Sequence, residues 1–313
     1  MAPENALSAW NRQANADDRH RYALLDSAQA EDSHLQLDRW RIRYASLFDG
    51  KREESVKEIA PLLIDLKTIR ADLRERVLDW LWQLGTDQPC LSWMDSRLPL
   101  GPLAQHLKLF HTVGLSDHQT MMLRWYDTRI LPMWLECLKP GQHRQFSGVL
   151  LSLHCLDRSG TRVTFFEREQ PQAPSPAEPA LGRPLLQLDD IQFARLMDAS
   201  HLDMLLHHLQ RFVASELDTV PRARLMGFLD GQLKALQAAG IDDADRQVQC
   251  LLLALFTSGA GMKHAALEAL LRSPPQSPDA FMAAVQALPE EIYKMGVPLW
   301  EETRMMSSVA SNE

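Results

Sequence analysis

The sequence is poor in the features that mark metal-binding, disulfide-rich and nucleic-acid-binding proteins. Its four cysteines, Cys90, Cys137, Cys155 and Cys250, are far apart and form no CxxC pair. We therefore expect buried, reduced thiols rather than a zinc site or a disulfide framework. Lys and Arg total 33 against 41 Asp and Glu, a formal charge of −8. This balance argues against general nucleic-acid binding, which needs a basic face.

Long apolar runs are also missing. The N-terminal segment MAPENALSAW carries an acidic residue early and has no apolar stretch, so it does not resemble a signal peptide. The longest strongly apolar run, residues 250–256, is far shorter than the roughly 20 residues that cross a bilayer. We expect a cytoplasmic protein with neither membrane nor nucleic acid as a partner.

The motifs of common active sites are absent as well. The chain has no GxxxxGK[ST], no GxGxxG after a strand, no GxSxG and no HExxH. The densest cluster of ligand-like side chains is His201, Asp203, His207 and His208. It lacks the i, i+4 histidine pair typical of a helical metal site. We predict no bound metal and no cofactor, although the sequence leaves open whether these histidines bind anything.

What the chain does contain is an alternation of short apolar runs with amphipathic segments over residues 20–169. Aspartate ends four of the runs, at Asp26, Asp65, Asp95 and Asp127. The alternation predicts an α/β unit with a mixed, mostly parallel sheet and flanking helices. Apolar spacing predicts helices at residues 70–84, 100–110 and 130–138, a strand at 121–126, a hairpin at 149–155 and 161–166, and a helix stop at Gly85.

A proline-rich stretch divides the chain. Residues 170–184, QPQAPSPAEPALGRP, contain five prolines and predict a stiff linker. Beyond it, apolar residues recur at helical spacing, which predicts an all-α unit. We therefore predict a polar tail (1–19), the α/β unit (20–169), the linker (170–184), a helical unit (185–305) and a second polar tail (306–313).

The aspartates that end the runs allow two interpretations. In open α/β sheets, ligands bind beyond the carboxyl ends of the strands. The four aspartates, Asp26, Asp65, Asp95 and Asp127, could there hold Mg²⁺ or act as general acid and base in an α/β enzyme. However, no nucleophile or phosphate loop accompanies them, and Arg97 and Arg129 each follow an aspartate by two residues. Capping and charge pairing are the favoured explanation, and the enzyme is the alternative.

The most distinctive segment of the sequence is MMLRWYDTRIL at residues 121–131. With YALLDSA, YASLF, APLLIDL and WMDS further upstream, it resembles the domain-of-unknown-function family of type VI secretion adaptors, also called effector chaperones. The resemblance covers residues 20–166. Its strongest part is the block from Arg124 to Arg129, in which Thr128 stands where the family is expected to favour proline.

The resemblance implies a non-enzymatic cytoplasmic adaptor without a cofactor. Such adaptors bind a cognate secreted effector, a toxin, and help to load it onto the VgrG spike protein. The signature residues, structural or partner-binding, are Tyr22, Asp26, Asp95, Arg124, Tyr126, Asp127 and Arg129. Aromatic residues and Met are enriched at interfaces, so the candidate partner contacts are Trp125, Met133 and Trp134.

A third interpretation is a purely helical scaffold, in which the C-terminal unit alone would retain binding. The sequence names neither the effector nor its activity. It also leaves open the stoichiometry and which unit contacts the effector or the spike.

Overall fold

The computed structural model describes residues 5–12, 19–50, 52–172 and 184–310. The chain divides into two compact units, Met1–Ala199 and Ser200–Glu313. We predicted the boundary at the proline-rich linker, of which residues 173–183 lie outside the described residues. The boundary falls later because the segment after the linker still belongs to the first unit. Leu186 and Leu196 are buried in its core.

The first unit is built on a six-stranded sheet with the order β2-β3-β1-β4-β7-β8. A smaller three-stranded sheet has the order β6-β5-β9. The strands of the two sheets are β1 (His20–Asp26), β2 (Tyr44–Ser46), β3 (Pro61–Asp65), β4 (Leu91–Ser96), β5 (Thr112–Gly114), β6 (Thr120–Met122), β7 (Leu150–Leu156), β8 (Arg162–Glu167) and β9 (Leu186–Gln187).

The prediction of a mostly parallel sheet is wrong. Every neighbouring pair in the six-stranded sheet is antiparallel, and among the described strands the short β5–β9 pair alone is parallel. The reason lies in where β1 sits. The strands β3 and β4 run in the same direction and are joined by a helix, as a parallel crossover would be, but β1 lies between them and pairs with both.

The helices of the first unit confirm the predicted pattern in most places. They are α1 (Ala6–Arg12), α2 (Ser33–Arg39), α3 (Ala71–Asp87), α4 (Leu100–Lys108), α5 (Leu131–Cys137) and α6 (Pro140–Ser147). The polar tail predicted for residues 1–19 is wrong over α1, because Leu7 and Trp10 of this helix are buried in the core. Helix α6 was not predicted.

Two local predictions about strands had different outcomes. The hairpin is confirmed, since β7 and β8 pair around the turn at residues 157–160. The strand predicted for residues 121–126 stops at Met122. Residues 123–130 instead form a series of turns that leads into α5.

The second unit is helical, as predicted. Its helices are the C-terminal part of α7 (Asp190–Leu217), then α8 (Arg222–Ala238), α9 (Ala244–Phe256), α10 (Ala265–Arg272), α11 (Pro278–Gln286) and α12 (Leu299–Ala310). Helix α12 extends into the predicted polar tail at residues 306–313. The core of this unit is formed by leucines of α7, α8 and α9 with Phe281 and Trp300. Within the described ranges, no helix combines the length and the apolar character needed to cross a bilayer.

Gly85 lies inside α3 rather than at its end, so the predicted helix stop is wrong. The glycine is needed for packing. A β-carbon at this position would lie 2.6 Å from Leu91 Cβ and 2.9 Å from Leu156 Cδ1. The missing side chain therefore lets α3 approach β4 and β7 closely.

The substitution Gly85→Ala tests this close approach. We expect the free energy of unfolding to fall by about 1–2 kcal/mol, because overpacking costs about 1–3 kcal/mol and the helix propensity of alanine returns up to about 1 kcal/mol. Urea unfolding of the full chain provides the measurement. Gly101→Ala is the matched control, since a β-carbon there meets nothing within 4 Å. Equal stability of the two variants would contradict the packing role.

Candidate functional site

The end of β1 is joined to the turns at residues 123–130 by a buried ion pair. Arg124 Nη2 donates to Asp26 Oδ2 at 2.6 Å, and the Asp26 side chain is completely buried. The other carboxylate oxygen of Asp26 accepts from the backbone N–H of Ala28 at 3.2 Å. The ion pair between Asp26 and Arg124 connects residues 98 positions apart in the chain, so it fixes the turns against the sheet.

Asp127 braces the turn in which it lies. Its carboxylate receives two hydrogen bonds from the Arg129 guanidinium, at 2.9 and 2.6 Å, and a third from the Arg129 backbone N–H at 3.0 Å. Its own carbonyl accepts from Ile130 and Leu131 at the start of α5. Arg124 lies 3.9 Å from the same carboxylate. Asp26, Arg124, Asp127 and Arg129 therefore form one cluster, which we call the signature cluster.

Burial dominates the electrostatics of the signature cluster. It raises the pKa of Asp26 to about 6, against the lowering effect of Arg124. Burial also raises the pKa of the Tyr126 hydroxyl, above whose ring the Arg124 guanidinium lies at 5.9 Å. Arg124 itself is more exposed. Burial lowers its pKa, but the carboxylates of Asp26 and Asp127 together outweigh burial, so the pKa is raised. The charges of the cluster are thus directed at one another.

The aromatic candidates for partner binding are core residues instead. Trp125 and Trp134 are fully buried and pack edge to face against Phe146, at 4.9 and 6.0 Å. Met133 is partly buried against the same core. Tyr22 is also fully buried, and its hydroxyl donates to the Leu98 carbonyl at 2.9 Å.

The aspartates that end the apolar runs do not meet at one edge of the sheet. Because β3 and β4 are antiparallel to β1, Tyr22 near the start of β1 is opposite Asp65, and Arg21 is opposite Asp95. Asp26 lies at the other end of β1. The arrangement that the enzyme alternative required, with Asp95 beside Asp26 and Asp127, is therefore not formed.

Asp95 instead belongs to a polar row that crosses four strands. The register places Arg21 of β1 opposite Asp95, Asp95 opposite Ser152 of β7, and Ser152 opposite Glu167 of β8. Residues directly opposite each other share a face of the sheet. Arg21 Nε lies 3.4 Å from Asp95 Oδ1, and Ser152 Oγ donates to Asp95 Oδ2 at 3.2 Å.

This row borders a cavity of about 390 Å³, which we call the arginine cleft. Its charged and amphipathic lining includes Trp10, Arg19, Arg21, Asp95, Ser152 and Arg168. The exposed Glu167 and Glu169 lie at its rim. Burial lowers the pKa of Arg21 and of Arg168 and raises the pKa of Asp95. These ions have lost hydration, which makes the cleft a candidate binding site.

Of the residues that line the arginine cleft, Asp95 was predicted from the sequence and the others were not. Arg19 and Arg21 precede the strand-like apolar run that ends at Asp26, and Arg168 lies two residues beyond the end of the predicted hairpin at residue 166. Period-2 alternation would have placed Arg21 and Ala23 on one face of that strand. The partner strand and its register, which bring Arg21 to Asp95, are not encoded locally.

The histidines of the predicted cluster contact other protein side chains. His201 Nε2 is hydrogen bonded to Gln247 Oε1 at 2.6 Å, and His207 and His208 contact each other edge to face with ring centroids 6.4 Å apart. Across the part of the chain that the structure describes, no group of three or more His, Cys, Asp or Glu side chains could hold a metal ion.

Comparison with known proteins gives one match. Residues 21–145 match the family described as Domain of unknown function (DUF4123). The match covers β1 to α6 and includes the whole signature cluster, Arg21 and Asp95. It ends before the β7–β8 hairpin. No curated protein and no solved structure matches the chain significantly.

The titration of Asp26 can be tested with Asp26→Asn. The ordinary pKa of an aspartate is 3.8, and the pKa of Asp26 in the folded protein is about 6. At pH values between these two, folding is therefore accompanied by uptake of a proton. The carboxylate therefore lowers the stability of the folded protein as the pH rises from about 4 to about 6, by at most about 1.4 kcal/mol per pH unit.

Asparagine does not titrate, so the difference in unfolding free energy between Asp26→Asn and the natural protein should shift in favour of the variant over this range. It should be constant above about pH 7. Urea unfolding at pH 4, 5, 6 and 7 gives the difference. A difference that is constant from pH 4 to 7 would show that the pKa of Asp26 is not raised.

Asp127→Ala tests the brace in the signature cluster. We expect a loss of about 1–2 kcal/mol of unfolding free energy, the usual cost of removing a capping carboxylate. Asp117→Ala is the matched control, because Asp117 accepts a similar backbone hydrogen bond from Gln119 at 2.9 Å but is exposed. Full stability of Asp127→Ala together with loss of partner binding would instead place Asp127 in an interface.

Proposed function

We propose, with the family match of residues 21–145 as the premise, that this protein is a non-enzymatic cytoplasmic adaptor of type VI secretion. It would bind a cognate toxin and promote loading of the toxin onto the VgrG spike protein. The resemblance of the block around Arg124 and Asp127 to such adaptors is the reason for naming this function.

The observation that carries the proposal is that the charged side chains of that block pair with one another inside the protein. The guanidinium groups of Arg124 and Arg129 bind the carboxylates of Asp26 and Asp127 at 2.6 Å. A catalytic group needs access to a substrate, whereas Asp26 and Asp127 are buried beneath their partners. The block therefore has a structural role rather than a catalytic one, and this supports the proposal of a binding protein.

The surface of the helical unit supports the same proposal. Several of its methionine and aromatic side chains are exposed, including Met204, Phe212, Tyr293, Met295, Met305 and Met306. Methionine is flexible and polarizable and is common at surfaces that adapt to a protein partner. A toxin segment with apolar side chains is the kind of ligand that such a surface suits.

Co-purification tests the function. The tagged full chain should retain the toxin encoded by a neighbouring gene, and deletion of its gene should abolish delivery of that toxin. Delivery should return when the natural protein is supplied again, and delivery of an unrelated toxin from the same cells should be unchanged. Failure to bind any neighbouring toxin or spike protein, combined with undiminished delivery after deletion, would refute the proposal.

A further inference from the structure

The arginine cleft contains two guanidinium groups, those of Arg19 and Arg168, that form no close ion pair with any described carboxylate. Arg168 lies over the Phe166 ring at 4.0 Å, and its Nη2 donates to the neutral hydroxyl of Ser147 at 3.2 Å. Its Nη1 has no hydrogen-bond partner among the described residues. An unsatisfied, partly buried cation favours an anionic ligand.

Arg21 is held firmly beside these groups. Its Nη1 donates to the carbonyl of Asn11, its Nε lies 3.4 Å from Asp95 Oδ1, and its guanidinium lies 4.8 Å from the centre of the Trp10 ring. These contacts fix the floor of the cleft before any ligand arrives. A preorganised site loses less entropy when it binds.

We propose that the arginine cleft binds a carboxylate of an extended protein segment, and that Arg168 and Arg19 are the residues that pair with this carboxylate. As a partner site it rests on the proposed function. The cavity volume of about 390 Å³ lies within the range of small-ligand pockets, roughly 300–1,000 Å³. It is large enough for one acidic side chain or a chain terminus with its neighbouring atoms.

The position of β8 supports an extended ligand. This strand is the outermost in the six-stranded order, and its last residue, Glu167, together with the following Arg168, lines the cleft. An extended segment can add to the edge of a sheet through backbone hydrogen bonds while alternate side chains enter pockets. A segment lying along β8 would bring one such side chain to the cleft.

The rim restricts which carboxylate fits. Glu167 and Glu169 are exposed at the edge of the cleft and repel ligands that carry several negative charges. They favour a segment in which the acidic group has a basic neighbour. A single carboxylate flanked by lysine or arginine is therefore the expected ligand.

Binding can be observed directly at Trp10. The full chain is labelled with ¹⁵N in its tryptophan indoles, and the Trp10 signal is assigned with Trp10→Phe. The probes are three acetylated hexapeptides that each contain one lysine. One has an internal glutamate and an amidated end, the second has glutamine instead, and the third is the glutamine peptide with a free terminal carboxylate.

The glutamate peptide or the free-terminus peptide should shift the Trp10 signal and saturate, with an affinity at least about tenfold above that of the neutral peptide, the factor expected for one charge-assisted hydrogen bond. The peptide that binds identifies the source of the carboxylate, side chain or chain end. Equal responses to all peptides, or no response to any, would overturn the inference.

Two substitutions test whether Arg168 and Arg19 bind the carboxylate. Arg168→Gln should lower the affinity for the carboxylate peptide about tenfold. Adding Arg19→Gln should lower this affinity further. Arg195→Gln is the matched control, because Arg195 is an exposed arginine of the same unit that pairs with Glu136. Unchanged affinity in the double variant would overturn the assignment. Arg21 is left intact because its burial with Asp95 makes it part of the fold.

The outcomes separate this inference from the proposed function. A neighbouring toxin that binds the natural protein and the Arg19→Gln/Arg168→Gln variant equally well refutes the cleft and leaves the adaptor function standing. Carboxylate peptides that bind at Trp10 support the cleft, and they do so even if the full chain binds no toxin or spike protein and deletion of its gene leaves toxin delivery undiminished, the result that refutes the adaptor function.

Discussion

The central strand β1 carries a buried charge near each end, and the arrangement of the first unit depends on how each is neutralised. At the start, Arg21 pairs with Asp95 of the neighbouring strand. At the finish, Asp26 pairs with Arg124 from a distant turn. Removing one partner of such a pair leaves an uncompensated buried charge, which costs far more than an exposed pair contributes. Strand register and turn position are therefore coupled to β1 through these two contacts.

The two ends of β1 nevertheless differ in character. In the signature cluster, the hydrogen-bonding capacity of Asp26 and Asp127 is met by arginine side chains and backbone N–H groups at the start of a turn. In the arginine cleft, the Arg21–Asp95 pair borders a cavity, and Arg168 forms no close ion pair with any carboxylate of the described residues. The first cluster pairs each of its guanidinium groups with a carboxylate and stabilises the fold, whereas Arg168 beside the cavity is the group that the proposed ligand would pair with.

Local patterns in the sequence predicted the elements better than their assembly. Apolar spacing found α3, α4 and α5, and the turn DRSG found the β7–β8 hairpin, because these signals lie within a few residues. The direction of the strands was not predictable in this way, since it depends on β1 inserting between β3 and β4. The same limit applies to the site. Asp26 and Arg124 were recognised as signature residues, but their contact spans 98 positions, and the arginine cleft needs the register of four strands.

The balance of charge in the cleft suits a partner that must later be released. The desolvation of Arg21 and Arg168 is already present in the free protein, so a carboxylate that enters regains electrostatic energy without further burial of the arginines. The acidic rim limits that gain and rejects polyanions. A site with one matched charge and an open rim therefore gives specificity with moderate affinity. This combination is what the proposed adaptor function would require, since the protein would have to hold a toxin and then transfer it to a spike.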